Sequence, residues 1–222
     1  MRINIISMFP EYFVSPLGVS LVARAIEDGR LDVHLIDLRE HGMGPHRKLD
    51  DAPFGGGPGM VMMVEPLAAA LDPLAGTQRV LLSAAGPPLR QEALDRWAGL
   101  AELTIVCGRY EGVDERVVDH LVDEEVSIGE FVMLGGEAGA LAIVEGVTRL
   151  LPGVVGNPDS IVAESFRSGL LEEPHYTRPA EFRGWRVPDV LLSGDHGKIE
   201  EWRRARRAER TAERRPGMAH GG

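Results

Sequence analysis

The sequence is poor in cysteine, in aromatic residues and in long apolar runs. Cys107 is the single cysteine among 222 residues, which precludes an internal disulfide and agrees with a reducing compartment. The histidines and this cysteine form no C-x-x-C or H-E-x-x-H spacing, so we expect no zinc or other metal site. No apolar run approaches the roughly 18 residues that a membrane-spanning helix needs, and the N-terminus lacks a secretory leader. These absences favour a cytoplasmic protein that does not enter a membrane.

The charge of the chain is unevenly distributed. The formal net charge is −10, with 44% hydrophobic and 26% charged residues, an ordinary composition for one sizeable domain or a main domain with a small appendage. Residues 201–222 nevertheless carry a net charge of +4, against −14 for the first 200 residues. Such asymmetry indicates a basic tail with an anionic partner. The alternative is a solvated helix in which glutamates pair with arginines.

The first 150 residues alternate between short β-rich runs and stretches of helical periodicity. We predict strands over residues 3–7, 31–35, 79–83, 103–107 and 125–128. We predict helices over residues 17–27, 66–74, 91–100, 115–122 and 138–150, with Ser15-Pro16 as a helix start and Gly29 as a C-terminal cap. Strands that alternate with helices of this length indicate an α/β fold with a parallel sheet covered on both faces.

Two segments interrupt this alternation. Residues 38–60 form a long polar connection, and loops of that length in a compact domain are usually functional. Residues 151–167 are rich in glycine and proline, which is typical of an interdomain linker. We therefore expect a main domain over residues 1–157, a linker over 158–170 and a small helical domain over 171–222. The last helix is predicted to run from about residue 197 to 215.

The long connection ends in a glycine-rich loop, Gly55-Gly56-Gly57-Pro58-Gly59. Glycine allows a backbone to approach a ligand closely, and Asp50 just before the loop can place a carboxylate beside that ligand. No Lys-Ser/Thr follows, so the loop is not a nucleotide P-loop. A tight structural turn is the alternative.

Further glycine-bearing loops follow strand-like runs of the sequence. The first begins at Gly108 and contains Tyr110 and Glu111; the others contain Ser127, Ile128 and Gly129, and Leu134, Gly135 and Gly136. Ligands bind beyond the carboxyl ends of strands in open α/β sheets. A pocket walled by backbone amides and carbonyls suits a neutral or cationic small molecule better than a polyphosphate. The alternative for the first loop is a helix entry capped by Asp114.

These segments, in this order, resemble the bacterial tRNA (guanine-N1)-methyltransferase family of the TrmD type. The matches are Ile5-Ile6-Ser7-Met8-Phe9-Pro10-Glu11, Asp50-Asp51-Ala52-Pro53-Phe54-Gly55-Gly56-Gly57-Pro58-Gly59-Met60, Gly108-Arg109-Tyr110-Glu111-Gly112-Val113-Asp114-Glu115-Arg116, Ser127-Ile128-Gly129, Gly135-Gly136-Glu137, Arg149-Leu150-Leu151-Pro152-Gly153-Val154 and Pro174-His175-Tyr176-Thr177-Arg178-Pro179. The resemblance spans nearly the whole chain.

The resemblance implies a fold, a cofactor and partners. Members of this family transfer a methyl group from S-adenosylmethionine to N1 of guanine 37 in tRNA. Their α/β domain is a SPOUT fold whose C-terminal part forms a trefoil knot, and a small helical domain binds the tRNA. They act as homodimers, and magnesium has been associated with the reaction.

The resemblance also assigns roles to single residues. It implies catalytic roles for two: Glu164 as general base and Arg149 at the guanine. It places cofactor contacts at Ser83, Gly108, Tyr110, Glu111, Ser127, Ile128, Gly129, Leu134, Gly135 and Gly136. Contacts with tRNA are expected at Asp50, Gly55, Gly56, Gly57, Gly59, Arg203 and Arg206.

The general-base position departs from the family pattern. Aspartate is usual there, and this chain has Glu164. Taken without the family, Glu164 would usually be interpreted as a solvated loop acid, and Arg149 as a residue that compensates the dipole at a helix C-terminus. Two other functions stay open at this point: a nucleotide-binding α/β enzyme that uses the glycine-rich loop, and an RNA-binding protein without catalytic activity.

Overall fold

A five-stranded parallel sheet forms the centre of the N-terminal part of the chain. A computed structural model describes residues 1–157, 161, 164–167 and 169–218. The strands are β1 (Arg2–Ser7), β2 (Asp32–Asp37), β5 (Gln78–Leu82), β6 (Glu102–Cys107) and β7 (Glu124–Val126), in the order β2-β1-β6-β5-β7. Every neighbouring pair is parallel, so all five carboxyl ends meet at one edge. The predicted α/β class and parallel sheet are confirmed.

Helices cover both faces of this sheet, because the central strands are apolar on both sides. Ile3, Ile5 and Leu103 point into one buried cluster, whereas Ile6 and Val106 point into the other. The helices on the first face are α1 (Glu11–Leu17), α2 (Ser20–Glu27), α4 (Gln91–Ala98) and α6 (Glu137–Thr148), and those on the second are α3 (Val64–Leu71) and α5 (Glu115–His120).

The first predicted helix was wrong at its start. The structure has two helices there, and Pro16 lies in the last turn of α1 instead of opening a helix. Residues 11–17 lack a strong apolar period, and Phe13 alone of them is buried. Gly29 does cap α2: its φ is 69°, its N–H donates to the Ile26 carbonyl (3.0 Å), and the Arg30 N–H donates to the Ala25 carbonyl (2.9 Å).

The long connection is more ordered than its composition suggests. A 3-10 turn covers Leu38–His41, and a short antiparallel pair joins β3 (Asp50–Asp51) to β4 (Val61–Met62). The strands are two residues long, too short for a period-2 pattern to show in the sequence. The glycine-rich loop is thus the tip of a hairpin.

The chain divides into two compact units, Met1–Gly156 and Asn157–Gly222. The second unit contains the antiparallel pair β8 (Glu181–Phe182) and β9 (Trp185–Arg186), then α7 (Asp189–Leu192) and α8 (His196–Arg214). The last helix lies within one residue of its predicted bounds, and the small β8–β9 pair was not expected. No helix in the described part of the chain has the length and apolarity needed to cross a bilayer.

Candidate functional site

A cavity of about 440 Å³ lies at the carboxyl ends of β5, β6 and β7. Its walls come from residues 81–85, 108–113, 125–128 and 131–136. They include nine of the ten predicted cofactor-contact positions: Ser83, Gly108, Tyr110, Glu111, Ser127, Ile128, Leu134, Gly135 and Gly136. The volume falls within the range of about 300–1,000 Å³ that small-molecule sites occupy.

Two of the loops are joined by backbone contacts at the base of this cavity. The Gly136 N–H donates to the Gly108 carbonyl (2.9 Å), and Arg109 and Gly135 form an isolated antiparallel bridge. A Cβ on Gly108 would stand 2.9 Å from the Leu82 carbonyl oxygen, and one on Gly136 would stand 3.0 Å from the Cα of Cys107. The glycines are therefore needed for the close approach of these strands, besides any contact with a ligand.

A buried ion pair, which sequence reasoning missed, links the same two loops. Glu137 opens α6 and is 1% exposed. It accepts hydrogen bonds from Arg109 Nε (3.0 Å to Oε2) and from Ser7 Oγ (2.8 Å to Oε1). The Arg109 guanidinium also lies 4.4 Å from the centre of the Phe9 ring. A glutamate directly after two glycines at a helix start was the signal, since carboxylates are favourable there.

The remaining charges around the cavity are acidic. Glu111, Glu115 and Glu125 line it, whereas the positive charge of Arg109 is matched by Glu137. Such a lining favours a cationic ligand and opposes a polyphosphate. The geometry therefore argues against the nucleotide-binding alternative.

The glycine-rich hairpin is tied to the edge of the cavity. The Glu111 N–H donates to the Met60 carbonyl (3.0 Å), and the Met62 N–H donates to the Gly112 carbonyl (3.0 Å). Burial and the neighbouring Asp50 carboxylate raise the pKa of Tyr110. The sequence-predicted Asp50 and Tyr110 thus lie side by side.

The tip of this hairpin is open to solvent. Four of its glycines, Gly55, Gly56, Gly57 and Gly59, have positive φ values between 77° and 137°. Phe54 beside them is fully exposed. The described walls of the cavity therefore do not include the tip of the hairpin.

Ser127 and Gly129 shape the third loop from within. Ser127 Oγ donates to the Gly129 carbonyl (2.8 Å), and the Gly129 N–H lies 3.3 Å from the same hydroxyl. Ser127 lines the cavity, whereas Gly129 lies one residue beyond the lining. Residues 131–134, which follow Glu130, are apolar and exposed, with Leu134 at 89%.

Arg149 is not brought to the cavity of its own chain. It follows the last residue of α6, whereas Gly136 and Gly139, at the start of this helix, line the cavity. A helix of 12 residues is about 18 Å long. Within one chain, the predicted guanine-contacting arginine and the cavity therefore lie at opposite ends of α6.

Glu164 belongs to the second unit. Its side chain is 14% exposed, and its Oε1 lies 3.5 Å from Arg167 Nε. Arg167 Nε also donates to the Ile161 carbonyl (3.1 Å). Glu164 is thus an ion-paired loop carboxylate rather than a freely solvated one.

The arginines of α8 fall into two groups. Arg203 and Arg207 both pair with Glu173, which is 7% exposed, and Arg206 pairs with Glu209. These three arginines are paired with glutamates, as the alternative interpretation of the basic tail predicts. Another group forms no ion pair with any residue that the structure describes: Arg204, Arg210, Arg214 and Arg215. The last three line a cavity of about 380 Å³ together with Phe166.

The described part of the chain contains no cluster of metal-ligating side chains. Among residues 1–157, 161, 164–167 and 169–218, no group of three or more His, Cys, Asp or Glu side chains is arranged to hold a metal ion. The described residues therefore provide no built site for the magnesium that the family resemblance implies.

Cys107 is buried at the end of β6, and this burial raises the pKa of its thiol.

Comparison with known proteins gives consistent matches over nearly the full length. The family described as tRNA (Guanine-1)-methyltransferase TrmD matches residues 1–220. A protein of Thermosynechococcus vestitus named tRNA (guanine-N(1)-)-methyltransferase is 52% identical over 98% of this chain and 94% of its own length. Proteins of the same name from Gloeobacter violaceus and Listeria welshimeri are 51% and 46% identical over 98% of this chain, and over 98% and 91% of their own lengths.

Proposed function

Because the chain belongs to the tRNA (guanine-1)-methyltransferase TrmD family, we propose that it transfers a methyl group from S-adenosylmethionine to N1 of guanine 37 in tRNA. The observation that carries this proposal is the glycine-walled, acidic cavity at the carboxyl ends of β5, β6 and β7. Enzymes that act on tRNA work where tRNA is made and used, so we place the protein in the cytoplasm.

The residues of the cavity fit the methyl donor. S-adenosylmethionine supplies an electrophilic methyl group on a sulfonium centre. The cavity offers backbone amides and carbonyls to an adenosyl group, apolar side chains such as Ile128 and Leu134, and carboxylates for positive charge. Glu111 and Glu125 are the acids next to its glycine-bearing loops.

Methylation at N1 sets two demands on the acceptor side. N1 of guanine carries a proton at neutral pH, so a base must remove it before or during transfer. Negative charge then develops on O6, where a guanidinium stabilises it. We propose Glu164 as the base and Arg149 as the guanidinium. Glutamate is one methylene longer than aspartate. The Glu164 carboxylate still reaches N1 at hydrogen-bond distance if the loop that carries it retreats by about an ångström.

We further propose that two copies of the chain assemble each site. The length of α6 separates Arg149 from the cavity by about 18 Å. A second copy can supply the missing half, since the interface of a two-fold dimer presents the same surfaces twice. Exposed apolar side chains of the first unit support this: Val14, Val19, Phe131, Val132 and Leu134 are 54–89% exposed.

The second unit is proposed to hold the tRNA. Arg204, Arg210, Arg214 and Arg215 make no ion pair with a described residue and are placed to contact phosphates, which adds affinity without sequence information. Arg203 and Arg206 reach phosphates only by exchanging their present carboxylate partners. The exposed tip Gly55–Gly59 is a further proposed contact. Membership of the family also implies that residues around the cavity form the trefoil knot of a SPOUT fold. Residues 158–170 remain the proposed linker, of which 158–160, 162, 163 and 168 lie outside the described residues.

A single-turnover assay tests the proposal. Excess protein is mixed with radiolabelled S-adenosylmethionine and a tRNA transcript carrying guanine 37, and the product nucleoside is identified. We expect 1-methylguanosine from this transcript and no transfer to a transcript with adenine 37. Binding of both transcripts without transfer to either would instead identify an RNA-binding protein without activity.

A further inference from the structure

We propose that Thr211 is a positioning residue for Glu164. It lies in α8, 47 residues further along the chain, and acts through the described residues 164–167 and 169–172 of the loop that bears Glu164. This inference rests on the proposed role of Glu164 as the base. All the contacts that carry it lie inside the second unit.

The loop that bears Glu164 is closed on itself. Ser165, the next residue, exchanges hydrogen bonds with Glu172: the Glu172 N–H donates to Ser165 Oγ (3.0 Å), and the Ser165 N–H donates to Glu172 Oε2 (3.3 Å). The Phe166 N–H donates to the Leu170 carbonyl (3.0 Å). Closure this near to Glu164 fixes the direction in which its side chain leaves the backbone.

Thr211 holds the end of this loop against α8. The Leu171 N–H donates to Thr211 Oγ1 (2.8 Å), and the same hydroxyl donates to the Arg207 carbonyl (2.7 Å). Thr211 is 0% exposed, so water cannot replace either bond. Glu173 reinforces the attachment two residues beyond Leu171, through its ion pairs with Arg203 and Arg207.

The hydroxyl, rather than the shape, is what position 211 requires for this role. Valine has nearly the same shape as threonine but accepts no hydrogen bond. In Thr211→Val, the Leu171 N–H loses its acceptor at a buried place, and the loop is expected to shift or loosen. Thr211→Ser keeps the acceptor and is the conservative rescue.

The same helix is proposed to bind tRNA through its outer arginines. The effect of Thr211 on the methyl-transfer rate should therefore be separable from an effect on tRNA binding. Loss of Thr211 should slow the methyl-transfer step while leaving the affinities for tRNA and donor unchanged. A general loss of helix stability would instead weaken tRNA binding as well. Ala212→Val serves as the matched control, because Ala212 is exposed on the next position of α8 and makes no side-chain hydrogen bond.

The test measures single-turnover rates at saturating protein, tRNA affinity, and hydrogen exchange of the backbone amides of the loop. We expect Thr211→Val to be roughly tenfold slower, as one lost hydrogen bond allows, with faster exchange at Leu171. Thr211→Ser and Ala212→Val should stay within about twofold of wild type. Thr211→Val combined with Glu164→Gln should be no slower than Glu164→Gln alone.

Two results would overturn the inference, and they are distinguishable. A wild-type rate for Thr211→Val beside a slow Glu164→Gln would remove the positioning role and leave the base in place. A wild-type rate for Glu164→Gln would remove the base assignment and this inference together. Circular dichroism of each variant, with the Thr211→Ser rate, separates loss of the hydroxyl from loss of folding.

Discussion

The buried side chains of the two units are of opposite character. In Met1–Gly156 they are mostly apolar and form two clusters on the two faces of the sheet. In the described part of Asn157–Gly222, the side chains that reach the same burial are Glu173 and Thr211, both polar. A hydrophobic core tolerates changes of surface charge, whereas a unit held by hydrogen bonds and ion pairs depends on single polar groups.

The proposed functions of the two units differ as well. The first unit builds its cavity from backbone loops that a rigid sheet holds at fixed distances. The second presents carboxylates and guanidinium groups on a loop and a helix. We infer that the first unit binds the donor in a preformed site and supplies Arg149, and that the second unit supplies Glu164 and the arginines that hold tRNA.

The largest expected effect is on Glu164, the proposed base of the second unit. Glu164→Gln keeps the size of the side chain but cannot take the N1 proton, so the single-turnover rate should fall by roughly 10²–10⁴-fold. Glu164→Asp should retain substantial activity, and donor and tRNA affinities should change little. A near-normal rate for Glu164→Gln would falsify the assignment.

The next largest effects are expected on the free energy of unfolding, and they should differ between the two units. Glu137→Ala leaves Arg109 beside the cavity without its buried partner, which costs about 3–5 kcal/mol and lowers the midpoint of thermal unfolding by roughly 10 °C. Glu173→Ala should cost about 1–2 kcal/mol, because Arg203 and Arg207 are 46% and 28% exposed and water screens them.

Glu145→Ala, an exposed change on the same helix as Glu137, is the control for the first unit. Donor titration on these variants adds a second readout: affinity should fall in Glu137→Ala alone, because the Gly108 and Gly135 loops lose the ion pair that supports their backbone contacts. Equal unfolding midpoints for Glu137→Ala and Glu145→Ala would contradict the structural role of the buried pair.

The smallest effect is expected on the salt dependence of tRNA binding. Replacing Arg204, Arg214 and Arg215 by Gln should flatten the slope of log K against log salt by about 2, since each lost phosphate contact removes roughly 0.7–0.9. Replacing the ion-paired Arg203 and Arg206 should change the slope by less than about 1. Identical slopes for both sets would show that pairing inside α8 does not decide which arginines meet phosphate.

The sequence predicted the sheet better than the polar contacts. Short β-rich runs between stretches of helical periodicity predicted all five strands of the sheet, because strands covered on both faces are apolar on both sides. The place of the cavity was predicted because glycine loops follow strand-like runs, and ligands bind beyond the carboxyl ends of strands in open α/β sheets. The sequence did not predict the Glu137–Arg109 pair, because its residues are 28 positions apart and neither belongs to an apolar pattern.

Long-range polar contacts explain what could not be predicted. The attachment of Leu171 to Thr211 spans 40 positions, and no local pattern marks it. The separation of Arg149 from the cavity, in contrast, follows from the predicted helix over residues 138–150, because the glycine loop precedes this helix and Arg149 lies at its end. The resemblance supplied the residues that are proposed for the reaction, but not which chain supplies each of them.

A defined heterodimer tests most directly whether two copies assemble each site. One chain carries Arg149→Gln; the other carries Gly135→Val, whose side chain would meet Arg109 and Glu137 at the cavity wall. Each homodimer should be nearly inactive, with donor titration confirming the loss of binding in Gly135→Val. If cavity and arginine come from different chains, the heterodimer keeps one intact site and about half the wild-type single-turnover amplitude. A heterodimer as inactive as its parents would contradict the account.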